Sequence, residues 1–234
     1  YSAEYYCGRL GDLEKLFNTI TRDLGLRAVG YKLSGGFPVF SYIDSFRELP
    51  LNTADVQGPA SYSVVEVEGG FFRHSSFSVK HFLHPGNAIV VVVGADDRAE
   101  LATPETGSVA LFGIKPCDLH AIRVLDGILK GRDPVYTKLR ESVKLVVVEE
   151  CVEPSNVCFC GSLGTGPGVE SGFDIAYAKL GELVVFKAGS AAGREVLEKL
   201  GLSRAGEDAL EAYRSALERA RAKTSVLGDF SEVV

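Results

Sequence analysis

Cys117, Cys151, Cys158 and Cys160 are four of the five cysteines in this 234-residue chain, and the last three are spaced C-x6-C-x-C inside a glycine-rich stretch. Four thiolates are the donor set of an iron–sulfur cube or of a structural zinc ion. Cysteine zinc sites usually carry paired C-x2-C knuckles, and this chain has none. A redox disulfide between Cys158 and Cys160, or plain buried thiols, is a third reading. Spacing alone leaves all three open.

Other chemistry-bearing residues make weaker patterns. Cys7 stands near the N-terminus without a partner in sequence and reads as a free thiol. His120 follows Cys117 by three residues, so one helix face can carry both, as a ligand or as a neighbouring donor. His81 and His84 lack accompanying carboxylates or thiols and read as packing or surface residues. Asp96-Asp97 and Glu149-Glu150 read as solvated strand ends. The run Gly164-Thr165-Gly166-Pro167-Gly168 has the glycines of a phosphate cradle, but it follows the cysteines instead of opening a helix.

The elements that must position the cysteines follow from periodicity. Residues 109–114 and 144–148 are compact β-branched runs of the kind buried on both faces of a parallel sheet, and residues 88–94 read the same way. Between the first two lies a helical stretch over 116–129, with Pro116 at its first position and Cys117 in its first turn. Unpaired N–H groups and a positive dipole favour a thiolate there. The loop over 150–172 would supply the other three sulfurs, and its glycines let the backbone wrap a bulky group and donate N–H bonds to sulfur. Both loops leave the carboxyl ends of neighbouring parallel strands, the usual ligand edge of an open α/β sheet.

Elsewhere, an amphipathic helix is predicted over 11–24, strands over 27–33 and 37–42, and a hairpin of 62–68 with Phe71-Phe72. A short helix over 78–83, a hairpin over 173–187, and tail helices over 191–200 and 207–223 complete the reading. The predicted fold is α/β: a mostly parallel central sheet with flanking helices, plus a smaller antiparallel N-terminal part. Three segments are expected: a small α+β part over 1–77, an α/β cluster-binding domain over 78–200, and a helical tail or linker over 201–234.

The formal net charge of −6 argues against a nucleic-acid partner. The longest apolar run, 88–93, is far short of the roughly 18 residues of a membrane span. The reading is of a soluble, cytoplasmic protein in which clustered cysteines serve metal or redox chemistry.

Three stretches resemble one family. They are Leu111-Phe112-Gly113-Ile114-Lys115-Pro116-Cys117-Asp118-Leu119-His120-Ala121-Ile122, then Asp133-Pro134-Val135-Tyr136, then Cys158-Phe159-Cys160-Gly161-Ser162-Leu163-Gly164-Thr165-Gly166-Pro167. Together they resemble the beta subunit of cytosolic sulfhydrogenases and are similar to the iron–sulfur electron-transfer subunit of anaerobic sulfite reductases. The likeness runs from about Leu49 to the strand before Gly189.

It implies an iron–sulfur electron-transfer subunit with no catalysis of its own. Such a subunit relays electrons between a flavin- and NAD(P)-binding partner and a catalytic partner through a [4Fe-4S] cluster on Cys117, Cys151, Cys158 and Cys160. The alternative is a non-redox docking domain with a four-cysteine zinc site or free thiols. Members of that family continue into a ferredoxin-like domain with two C-x2-C-x2-C-x3-C-P runs, whereas this sequence stops at Val234 before any such motif. It also opens at Tyr1 and contains no methionine, and the expectation is a fragment of a longer product.

Overall fold

The computed structural model describes residues 4–226 apart from 59, 71, 74, 76, 89, 90 and 102–106. Strand β1 (Glu4–Arg9) leads into helix α1 (Leu10–Asn18), which is extended by a π-helical turn, and then into the hairpin β2 (Arg27–Ser34) and β3 (Phe37–Ile43). A two-stranded ribbon of β4 (Thr53–Gly58) and β5 (Ser61–Glu66) precedes the short helix α2 (Lys80–Leu83) and a second ribbon of β6 (Val91–Val93) and β7 (Ala99–Leu101). Then come β8 (Val109–Ile114), α3 (Pro116–Leu129), α4 (Pro134–Ser142) and β9 (Val143–Glu149). The chain closes with β10 (Ile175–Leu180), β11 (Leu183–Ala188), α5 (Ala191–Lys199), β12 (Ser203–Arg204) and α6 (Glu207–Thr224).

Eight strands form one mixed sheet in the order β12-β1-β11-β10-β9-β8-β2-β3. The four central strands β10, β9, β8 and β2 are mutually parallel, and the outer strands pair antiparallel. This is the predicted α/β architecture. The sheet draws strands from before residue 77 as well as after it.

Alternation along β8 and β9 divides the core between two faces. Ala110, Phe112, Leu145 and Val147 pack with Leu13, Leu16 and Phe17 of α1 and with Val196 and Leu197 of α5. Val109, Leu111, Val146 and Val148 face the other way, against Leu119 and Ile122 of α3 and Val135, Tyr136 and Leu139 of α4. Both strands are thus covered on both faces, as parallel strands require. A smaller apolar cluster, with Val152, Val185, Tyr213 and Ala216, seats α6 beside the sheet.

Several local expectations need correction. Val91, Val92 and Val93 are 49%, 53% and 62% exposed and pair antiparallel with β7 in a separate ribbon, so this run is no core strand; Ile89 and Val90 of the same predicted strand lie outside the described residues. The strand β5 takes its partner upstream, from β4. Of the hairpin predicted with Phe71-Phe72, Phe71 lies outside the described residues. Cys7 sits inside β1, paired on both sides, and is not at a frayed end. Helix α4 was unforeseen, although Asp133 caps it by accepting from the Tyr136 N–H at 2.6 Å and Pro134 opens it.

Backbone contact between β2 and β8 is close at Gly30, where an added Cβ would run into the Phe112 carbonyl oxygen. Gly30→Ala must therefore push apart the strand that delivers Cys117. We expect a loss of about 2 kcal/mol or more in the urea unfolding free energy, with m unchanged. An unshifted midpoint would show that the strands can yield there.

Candidate metal centre

Strand β8 ends at Ile114, Lys115 is the helix N-cap, and Pro116 and Cys117 open α3. Pairing with β9 is irregular between Phe112 and Ile114, where Gly113 adopts φ +71°. That left-handed backbone favours glycine and turns the chain toward α3. The Lys115 N–H donates to Asp118 Oδ2 at 2.9 Å, and the buried Tyr31 hydroxyl donates to the same carboxylate at 2.5 Å. Cys117 is thereby fixed in the first helical turn, as predicted.

The second loop leaves β9 after Glu149 and carries Cys151, Cys158 and Cys160 before β10 begins. The Cys151 N–H donates to the Pro167 carbonyl at 3.0 Å, and the Thr165 N–H to the Cys160 carbonyl at 3.0 Å. The loop thus folds back on itself. Glu150 is buried at 2% exposure and bolts it down, accepting from the Val169 N–H at 3.0 Å and the Tyr213 hydroxyl of α6 at 2.7 Å. Thr224, at the end of α6, accepts from the Ser162 N–H through its carbonyl at 3.3 Å.

All four predicted cysteines line one cavity of about 370 Å³. Cys7 is a free thiol on β1, a strand separated from β9 by β11 and β10. His120 joins the cavity wall, while His81 and His84 are exposed, with His84 4.0 Å from Asp133. Two further residues reach the site that spacing did not reveal. Arg73 lines the cavity, donates to the Glu153 carbonyl at 3.2 Å, and pairs with the fully buried Asp55 at 2.8 Å. Thr224 hydrogen-bonds the Cys160 sulfur.

The electrostatics are those of thiols that resist ionising alone. Desolvation, reinforced by neighbouring cysteines, raises Cys160, and it pushes Cys151 up to about 12 despite the opposing charge of Lys115. Cys117 is open to the cavity, yet enough protein surrounds its sulfur for desolvation, with Asp118 and the other three cysteines, to raise it too. Opposing this at Cys160 are the Thr224 hydroxyl and the N–H groups of Cys160 and Gly161. Those N–H bonds match the role expected of the loop backbone.

Beneath the cavity, Glu149 bridges Lys115 at 2.9 Å and Lys179 of β10 at 3.2 Å, all three nearly buried. Glu149 and Glu150 are therefore not the solvated strand ends the sequence suggested. Burial would raise the Glu149 carboxyl, but the two lysines outweigh it and hold it at about 2. The triad carries one net positive charge under the sulfurs.

Among the described residues, no three His, Cys, Asp or Glu side chains converge closely enough to grip a single metal ion. A zinc ion bound by four sulfurs needs them only about 3.8 Å apart, from Zn–S bonds of about 2.3 Å in a tetrahedron. Four thiols spread around one cavity wall fit instead a polynuclear group with volume of its own. Gly166 contributes room, since an added Cβ would stand 3.1 Å from the Cys160 sulfur.

Removing the central carboxylate of the triad tests its role. Glu149→Gln leaves two buried ammonium groups unpaired, and we expect a loss of about 3–5 kcal/mol in unfolding free energy at neutral pH. The double variant Glu149→Gln/Lys179→Met should recover part of it in the same denaturant titration. Equal stability of wild type and the single variant would contradict the pairing.

No family model matches the chain. It is 36% identical over 119 residues to sulfhydrogenase 2 subunit beta of Pyrococcus furiosus, a match covering 50% of this chain and 34% of that protein. The chain thus spans about a third of the length of that curated relative. A chain from the F420-reducing [NiFe] hydrogenase complex of Methanosarcina barkeri aligns over 96% of this chain and 89% of its own, at 10% identity and a TM-score of 0.44. That likeness is below the level at which a common fold follows. Over half its length, then, this chain is similar to a sulfhydrogenase beta subunit, as its motifs indicated.

Proposed function

We propose that this chain is an iron–sulfur electron-transfer subunit, or a segment of one, in a multi-subunit hydrogenase or sulfur- or sulfite-reducing complex. It would work between a flavin- and NAD(P)-binding partner and a catalytic partner. The observation that carries this reading is that two separate loops deliver Cys117, Cys151, Cys158 and Cys160 to one cavity. Similarity to the sulfhydrogenase beta subunit supports the assembly context.

In this reading the four cysteines hold a [4Fe-4S] cluster, which when bound supplies a one-electron couple. The chain's own residues set the conditions for it. Lys115 opposes the upward push on Cys151 and so favours its thiolate. The N-terminus of α3 does the same for Cys117. Hydrogen bonds from Thr224, Cys160 and Gly161 stabilise negative charge on the Cys160 sulfur. Val157 and Phe159, 51% and 47% exposed, give the cavity an apolar rim suited to a partner that excludes water from the transfer path. No helix among the described residues is long and apolar enough to cross a membrane.

Anaerobic purification, visible absorbance and EPR test the assignment. The expected result is a brown protein whose broad visible absorbance bleaches with dithionite while an EPR signal of a reduced cluster appears. Cys151→Ser and Cys160→Ser should each abolish the colour, and Cys7→Ser should leave it. A colourless protein loaded with zinc would replace the redox reading with the docking-domain alternative.

A further inference from the structure

A second cavity, of about 220 Å³, shares Pro116, His120 and Thr165 with the cysteine cavity as a common wall. Two cations face it from different helices, Arg123 of α3 and Arg221 of α6. Among the described residues, neither forms an ion pair, although Arg73, Arg140, Arg204 and Arg214 all have carboxylate partners. Arg123 is held toward the loop by its bond to the Ser171 hydroxyl at 3.0 Å. The remaining wall is the glycine-rich backbone from Gly164 onward, and the N–H groups of Gly168, Glu170 and Ser171 make no hydrogen bond among the described residues.

We infer that this cavity is a binding site for the phosphate or pyrophosphate group of a ligand. Two guanidinium forks with a hydroxyl and free backbone N–H groups match the oxygens of a compact, highly charged anion. The glycines lacking Cβ atoms allow that anion to approach the main chain. Glu170 also lines the cavity, so the formal balance with a neutral histidine is two positive charges against one negative. The chain as a whole is negative, at −6, so its long-range field opposes the anion. Binding must then come from these local contacts rather than from general attraction. The volume is below the roughly 300–1,000 Å³ typical of sites that enclose a whole small molecule. Only the phosphate end of a larger ligand would be held here, with the rest lying outside.

This inference does not rest on the cluster. Isothermal titration of the full chain with inorganic pyrophosphate, with and without reconstituted iron and sulfide, tests it. The expected result is saturable one-site binding, weakened at least about tenfold by Arg123→Gln and by Arg221→Gln. Arg132→Gln, on a separate surface, should leave it unchanged. Both targeted arginines are exposed, and unchanged thermal melts would confirm that the variants fold. No binding at low ionic strength overturns the proposal. So does binding that survives both substitutions, or binding that Arg132→Gln weakens equally, since either would mean unspecific charge attraction.

Discussion

Parallel pairing of β8 with β9 is the constraint from which the site follows. Parallel neighbours present their carboxyl ends on the same edge of the sheet, so the chain leaves Ile114 and Glu149 side by side and both cysteine-bearing loops start from one place. An antiparallel pair would have sent Cys117 and Cys151 to opposite edges. The next parallel strand, β10, brings Lys179 to Glu149. The Lys115–Glu149–Lys179 triad thus stands where three strands of the fold reach one edge. Buried ion pairs of this kind contribute little net stability over apolar packing, but they are costly to break. Their effect here is to specify the mutual position of the two loops and to leave a positive charge beneath the thiols.

Much of this was legible in the chain. Apolar, β-branched residues over 109–114 and 144–148 announced doubly covered strands, and Pro116 marked the first turn of α3, whose bounds match the expectation. The cysteine cavity followed from those elements, because strand ends and loop lengths are local properties. The valines of β6 carried the same composition yet lie in an exposed ribbon. A run of that type signals extended backbone; whether it is buried depends on what the rest of the chain stacks against it.

The errors share one cause, the long-range partner. Glu149 and Glu150 look like solvent-facing acids until Lys179 and Tyr213 come to them from remote strands and helices. Arg73 reaches the cavity from the β4–β5 side of the molecule through Asp55, and Thr224 from the end of α6. No spacing rule connects these residues with the cysteines. Cys7 shows the converse: proximity to the N-terminus suggested fraying, but β11 and β12 flank it and fix its strand in the sheet.

A single inorganic group bonded to sulfurs from both loops is the central claim, and iron-edge anomalous diffraction from anaerobically grown crystals of the chain tests it most directly. The predicted result is a compact set of iron peaks inside the cavity, bonded to Cys117, Cys151, Cys158 and Cys160. One zinc ion there, or iron bound elsewhere while Cys117 remains a free thiol, would contradict it.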